Sequence, residues 1–156
     1  MRALKLLLSV ALLTLVAFAQ EPASTTPAPD KSDTKATVYV YRYKQFTGSA
    51  LAPSVYCDEV QLAKMENGRY FTVRMDPGKH VFYSNDKQAG VELDLKAGQQ
   101  YFIRVEIVAG MMKGHGRLIL VAPEQGGYEM KSSKLKPLDP NKVVDGARVS
   151  VEEAHL

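Results

Sequence analysis

Side chains that could bind a soft or borderline metal ion occur at three places in this sequence, and one of them is Cys57. Met111, Met112 and His115 lie in one glycine-bearing loop, and His80 lies farther upstream. Thioether and imidazole groups are ligands for copper, and imidazole is also a ligand for zinc. No pair shows a diagnostic spacing such as Cys-x-x-Cys or His-x-x-x-His. Metal binding is therefore the alternative hypothesis, and in the other interpretation the methionines cap one end of the fold and His115 begins a strand.

The sequence contains few residues that could act as a catalytic nucleophile with a neighbouring base. Cys57 is the single cysteine, so no disulfide can form within the chain, and burial is the expected state of such a thiol. Thiol catalysis would need a base close in space, which His80 supplies only if the two strands pair. A Gly-x-Ser-x-Gly motif is missing, and the carboxylates of Asp58, Glu59 and Asp76 lie in turns, where they bond to backbone. We predict neither enzymatic activity nor a cofactor.

A stripe of aromatic residues is the most unusual feature of the sequence. Tyr39, Tyr41 and Tyr43 alternate along one strand face, while two valines and Arg42 occupy the other face. If the valines face the core, the tyrosines form an exposed stripe of the kind favoured at binding surfaces, and Arg42 lies at the sheet edge. If the tyrosines face inward, they are core residues, and we favour core or half-buried packing. Cross-strand ion pairs are expected for Arg42, Arg74 and Arg104 with Glu92 or Glu106.

Short β-type runs position these residues. Between residues 36 and 121, runs rich in β-branched and aromatic residues are separated by turn signals such as Asn67-Gly68 and Pro77-Gly78. No run alternates with a long helical pattern, which disfavours a parallel α/β fold. The sequence predicts an all-β fold, a single antiparallel β-sandwich of about seven strands, with a small barrel as the alternative. A short helix over Pro123–Ser132 or an irregular tail should follow.

The strand pattern also predicts two details. The turn Asp76-Pro77-Gly78-Lys79 should return His80–Ser84 antiparallel to Arg69–Met75. In the longest run, Gln100–Val108, side chains should alternate between the two faces. The inward set is Tyr101, Ile103, Val105 and Ile107, and the outward set is Phe102, Arg104 and Glu106.

The amino-terminal segment has the pattern of an export signal. Residues 1–19 combine the charges of Arg2 and Lys5, an apolar run and the small-x-small site Ala17-Phe18-Ala19, which predicts cleavage after Ala19. The apolar run is short for a membrane span and no later segment reaches that length. We expect a periplasmic or secreted protein with a disordered Pro/Ser/Thr linker over residues 20–35. The sandwich then covers residues 36–135, and residues 136–156 form a tail.

The net charge of the chain gives no indication of a nucleic-acid partner. The formal net charge is +3, and loss of Arg2 and Lys5 with the signal peptide lowers it to +1. A nearly neutral chain does not indicate a nucleic-acid partner. Hydrophobic residues make up 46% and charged residues 24%, which are ordinary values for a globular domain.

Five strand and turn motifs carry a family resemblance. They are Val38-Tyr39-Val40-Tyr41-Arg42, Tyr56-Cys57-Asp58, Asn67-Gly68-Arg69-Tyr70-Phe71, Pro77-Gly78-Lys79-His80 and Ala97-Gly98-Gln99-Gln100-Tyr101-Phe102-Ile103-Arg104-Val105. Together they resemble a bacterial family of exported proteins and lipoproteins known only as a domain of unknown function. The Pro-Gly-Lys-His turn is also similar to PEGA-like and prealbumin-like envelope modules. The resemblance implies a small β-sandwich for attachment or binding and no catalytic residues, and this chain lacks the lipidation cysteine of many relatives.

These observations favour a non-enzymatic, exported β-sandwich module. Its expected partner is an envelope protein or a cell-wall component, bound through a sheet face or an edge strand. The candidate binding residues are Tyr39, Tyr41, Tyr43 and Arg42. In the alternative hypothesis, the chain is a periplasmic copper- or zinc-binding protein whose ligands are His80, His115, Met111 and Met112.

Overall fold

A computed structural model of the chain describes residues 34–85, 89–110 and 114–143. The proposed signal peptide, most of the linker, and Met111 and Met112 lie outside these residues. One α-helix, α1, spans Pro123–Ser132, and a 3₁₀ turn spans Pro140–Lys142. The strands are β1 (Ala36–Tyr41), β2 (Ser54–Cys57), β3 (Val60–Lys64), β4 (Arg69–Met75), β5 (Gly78–Tyr83), β6 (Val91–Leu95), β7 (Gln100–Val108), β8 (His115–Val121) and β9 (Lys136–Pro137).

The strands form two sheets, which confirms the all-β class with a short helix near the carboxyl end. One sheet has the order β8-β7-β1-β4-β9, and the other has the order β3-β2-β5-β6. The first sheet is mixed rather than wholly antiparallel, because β1 pairs in parallel with β7 and β4 pairs in parallel with β9. The long connection from β1 to β7 makes the parallel pair possible, since it runs through the second sheet before it returns.

The core lies between the two sheets and follows the period-2 alternation of the strands. In β4, Phe71, Val73 and Met75 are buried, while the residues between them are exposed or half-buried. Val38 and Val40 of β1 lie in the same cluster. Each fully buried side chain of this size contributes about 1.5–3 kcal/mol to folding. The second sheet contributes Val55, Cys57, Leu62, Ala63, Phe82, Leu93 and Leu95 to the cluster.

The tight turns predicted from sequence exist, but three of them connect different sheets. The prediction that His80–Ser84 pairs with Arg69–Met75 is wrong, because β4 belongs to the first sheet and β5 to the second. The Gly68 and Gly98 turns likewise lead from one sheet to the other, and both glycines have a φ of 71°. Turn residues reverse the chain, but they do not determine whether the next strand pairs with the previous one or packs across the core from it.

A third layer covers the outer face of the first sheet. Pro123 begins α1, Glu124 lies in its first turn and Lys131 in its last, an arrangement that suits the helix dipole. The helix packs on β7, where Phe102 is buried rather than facing solvent as the alternation predicted. The backbone approaches closely there, since a Cβ added at Gly126 would lie 2.3 Å from Phe102 Cγ. A sheet with helix cover on one face thus hides side chains on both of its faces.

The segment after α1 also packs on the sandwich. Lys136 and Pro137 form β9 beside Arg69 and Tyr70, and Leu138 is buried in the inter-sheet core. Sequence reasoning assigned these residues to the tail. The short pairing and one buried leucine attach this segment to the free side of β4.

The two adjacent glycines of α1 provide a matched test of this packing. We expect Gly126→Ala to destabilise the protein by about 1–3 kcal/mol, because the new methyl group must displace Phe102. Gly127→Ala should stabilise it by about 0.5–1 kcal/mol, because that Cβ meets nothing within 4 Å and alanine favours a helix. Urea unfolding of both variants measures the difference. Equal effects of the two substitutions would show that α1 does not pack as described.

Candidate functional site

The tyrosine stripe is covered, although the valines of β1 do face the core. Tyr41 is buried, while Tyr39 and Tyr43 are half-buried. The ring of Tyr39 stacks on Phe102 at 4.9 Å between centroids, and Tyr43 meets the edge of Tyr41 at 6.0 Å. The predicted core or half-buried packing of the tyrosines is therefore confirmed. They do not face the inter-sheet core, however, because α1 turns the outer face of the sheet into a second buried layer.

Glu129 of α1 is the polar centre of that second layer. Tyr41 Oη donates a hydrogen bond of 2.6 Å to Glu129 Oε2, and Arg104 Nη1 donates to both carboxylate oxygens at 2.9 and 3.0 Å. Burial would raise the pKa of this carboxyl, but the surrounding donors outweigh it and lower the pKa from 4.5 to about 2. Those donors are Tyr41, Tyr43, Gln125 and Arg104.

Arg104 extends this network toward the sheet edge. Its guanidinium pairs with Glu106 at 3.0 Å, but within β7 and not across strands as predicted. The cross-strand pair of Glu106 is Arg117 on β8, at 3.1 Å. Arg104 also lies over the ring of Tyr43, 5.6 Å from the centroid. These groups satisfy one another, so the layer holds the helix against the sheet.

Arg42 is fully buried and bonds to backbone carbonyls instead of a glutamate. The guanidinium Nη1 donates to Leu51 O at 2.5 Å and to Met65 O at 3.4 Å, and Nη2 donates to Gly48 O at 2.7 Å. Its Nε is buried with no hydrogen-bond partner among the described residues. Burial lowers the pKa of Arg42. The expected position at a sheet edge and the expected pairing with Glu92 or Glu106 are therefore wrong for this residue.

Two of the carbonyls that Arg42 binds, those of Gly48 and Leu51, belong to the loop between β1 and β2, which we call the Phe46 loop (residues 43–53). The third, that of Met65, follows β3, so Arg42 connects the loop to the second sheet. Asn67 in the β3–β4 turn adds two more bonds: Oδ1 accepts from Gln45 N at 2.9 Å, and Nδ2 donates to Gln45 O at 2.7 Å. Within the loop, Ser49 N bonds to Phe46 O. The loop is thus fixed at its base while Phe46 at its tip is 98% exposed.

A group of basic side chains, which we call the basic corner (Lys44, Arg69 and Lys136), lies beside this loop. The Lys44 side chain packs against Gly68, whose carbonyl accepts a bond from Lys136 N. Lys44 and Lys136 are exposed, and Arg69 shares Glu66 with Lys142. Sequence reasoning missed this site, although one apolar residue in the polar run Lys44-Gln45-Phe46-Thr47 was its visible signal.

The β2–β3 turn carries a second cluster. Asp58 and Glu59 have φ of 46° and 73°, which a two-residue hairpin turn requires. Asp58 Oδ2 lies 2.5 Å from His80 Nδ1 and 3.6 Å from Cys57 Sγ, while Oδ1 accepts from Val81 N at 2.9 Å. His80 Nε2 lies 3.1 Å from Asp76 O. The β2–β5 pairing brings Cys57 and His80 to one place.

This arrangement does not activate the thiol. Both ring nitrogens of His80 face oxygen atoms of aspartates, so neither faces Cys57 Sγ as a base. Cys57 is buried, as expected, and burial together with the Asp58 charge and hydrogen bond raises the pKa of the thiol. A protonated, enclosed thiol is a poor nucleophile.

Among the other metal candidates, His115 lies apart from this cluster. It begins β8, as the interpretation without a metal predicted, and lines a cavity of about 190 Å³ with Pro53 and Asn85. Its neighbour Gly116 touches Ser84, four residues beyond His80, which places the two histidines on the order of 13 Å apart along β5. Met111 and Met112 lie outside the described residues. His80 and His115 therefore cannot share one ion in this fold.

None of the helices in the described segments combines the length and the apolar character that a membrane crossing requires.

Glu129→Gln should weaken the attachment of α1. We expect a loss of about 2–3 kcal/mol at neutral pH, because Arg104 and Tyr41 lose a charged acceptor. The lowered pKa means that this contribution is present above pH 4.5 and disappears as the pH falls toward about 2. Urea unfolding from pH 7 to pH 2 measures both effects. Glu124→Gln, at an exposed position of the same helix, is the control, and an equal loss in it would contradict the assignment.

Arg42→Lys should loosen the Phe46 loop. A lysine presents its donors at one point and cannot reach all three carbonyls, so we expect a loss of about 2 kcal/mol or more. Denaturant unfolding, with hydrogen exchange over residues 44–52, measures the effect. Arg69→Lys at a partly exposed position should cost under about 1 kcal/mol. Equal stability and equal loop protection in the two variants would refute this role for Arg42.

Comparison with known proteins gives one family match. Residues 32–117 match the family described as "Protein of unknown function (DUF2846)". No curated protein and no solved structure matches the chain. The match covers more than half of the 156 residues and includes the Phe46 loop and the β2–β3 turn, while α1 and β9 follow it. The motifs thus indicated a family of unknown function correctly, and the chain belongs to the DUF2846 family.

Proposed function

We propose that this chain is an exported, non-enzymatic binding module that docks on an anionic membrane surface of the cell envelope through the Phe46 loop and the basic corner. The observation that carries the proposal is a phenylalanine that is 98% exposed at the tip of a loop whose base is held by a buried arginine. A loop backbone held in this way loses little conformational freedom on binding, which favours affinity.

The charges beside Phe46 support a lipid surface as the partner. Lys44 and Lys136 lie around Gly68, so cationic groups accompany the apolar tip. Lysines near an anionic membrane contribute about 1 kcal/mol each. Phenylalanine adds about 1.5–3 kcal/mol when its surface leaves water. These magnitudes predict weak, reversible binding that depends on ionic strength.

A protein pocket fits the same loop less well. Hot-spot aromatic residues of protein interfaces lie near the centre of a desolvated patch. The chain neighbours of Phe46 are Gln45 and Thr47, which are polar and exposed. A bilayer accepts a single projecting side chain without a complementary apolar surround. Likeness to PEGA-like and prealbumin-like attachment modules would agree with this function and stays a prediction.

Vesicle binding tests the proposal. The purified protein should co-sediment with vesicles of equal parts phosphatidylglycerol and phosphatidylcholine, and less with phosphatidylcholine alone. Phe46→Ser should weaken binding about tenfold or more, because about 1.5–3 kcal/mol of apolar burial is lost. Added salt should weaken the binding further, since it screens exposed charges.

Tyr128→Ser is the matched control, because Tyr128 is an aromatic residue of α1 that is 72% exposed. It should bind vesicles as the unaltered protein does. Equal losses in the two variants, or equal binding to neutral and anionic vesicles, would refute the docking site. Binding to an envelope protein without affinity for either vesicle would refute the lipid assignment.

A further inference from the structure

We propose that Cys57, Asp58 and His80 form a binding site for a zinc-type divalent cation at the β2–β3 turn. A thiol sulfur, a carboxylate oxygen and an imidazole nitrogen from these residues lie within 4.8 Å of one another. This mixture of sulfur, oxygen and nitrogen donors is typical of zinc and of similar borderline cations. The site is independent of the Phe46 loop, which lies before the other end of β2.

The orientation of His80 is the second observation that points to a cation. Its Nε2 lies 3.1 Å from the carbonyl oxygen of Asp76 and can donate its N–H there. Histidines that bind metals almost always hold their second ring nitrogen in such a bond. Nδ1 then faces Asp58 Oδ2, and two acceptors face each other favourably only with a proton or a metal ion between them.

The surroundings allow an ion to enter. Cys57 and His80 are buried, whereas the Asp58 side chain is 40% exposed and forms the outer wall. Ligand atoms around a tetrahedral zinc ion lie about 3.5 Å apart, so the Asp58 carboxylate must move about 1 Å away from Nδ1. The Cys57–Asp58 separation of 3.6 Å already suits this geometry. Binding would release the thiol proton to solvent.

Three protein ligands leave one position of a tetrahedral ion for water. Catalytic zinc sites share that arrangement, but closed structural sites use four protein ligands. Of the metal ligands suggested by sequence, this site retains His80 and Cys57. Its third member, Asp58, was visible in the sequence as a turn residue, and only the pairing of β2 with β5 brings all three together.

Cobalt titration of the purified protein tests the site directly. Cobalt(II) substitutes for zinc and gives a thiolate-to-metal absorption band, and the chain contains one cysteine. We expect a band that saturates at one equivalent and disappears when zinc is added. Cys57→Ser should abolish the band, and His80→Gln and Asp58→Asn should each weaken binding at least tenfold. His115→Gln is the control and should bind as the unaltered protein does.

A saturating cobalt titration without a thiolate band would overturn the proposal, as would unchanged affinity in His80→Gln. The unaltered protein is itself diagnostic, because any such band must come from Cys57. The result therefore does not depend on whether the variants fold. A rise in the unfolding temperature with added zinc is expected as an independent readout, and no rise at saturating zinc would also count against the site.

Discussion

Burial of β1 on both faces is the constraint on which the rest of this structure depends. The strand lies at the centre of its sheet between β4 and β7, its valines enter the sandwich core, and its tyrosines enter a second layer under α1. A strand with alternating side chains normally leaves one face to water. Here the outer face consists of large rings, and exposure of those rings would be unfavourable. The helix is therefore a structural part of the domain.

Tyrosine suits this second layer because one side chain supplies both an apolar ring and a polar hydroxyl. The rings of Tyr39 and Tyr41 pack beneath α1, and the Tyr41 hydroxyl reaches the carboxylate of Glu129. That carboxylate is also paired with Arg104, so the charges of this layer compensate each other. Arg42 differs, because carbonyl dipoles alone accept its bonds. Burial of such a cation costs free energy, and its hydrogen bonds give the Phe46 loop a defined conformation.

The two sites of interest flank the short strand β2. The Phe46 loop leads into β2, and the turn with Asp58 leads out of it toward β3. Both are irregular segments held by a rigid scaffold, which is where binding residues most often occur. Both also lie within the stretch that matches the DUF2846 family, whereas the helix that covers the first sheet lies after that stretch. The Phe46 loop and the Asp58 turn are thus separate in sequence from the helix that completes the packing, whereas Lys136 of the basic corner follows that helix.

The sequence alone determined the secondary structure, because period-2 alternation, turn residues and helix-end signals act over a few neighbouring residues. It predicted the bounds of α1 and the all-β class correctly. Only the tertiary structure decided which strands pair and what covers the tyrosines. A local turn signal does not specify a sheet, and the partners of Arg42, Glu129 and His80 lie far away in sequence. Long-range packing fixes the loop that carries Phe46, and it also brings Cys57, Asp58 and His80 together. Neither site could therefore be recognised from the sequence alone.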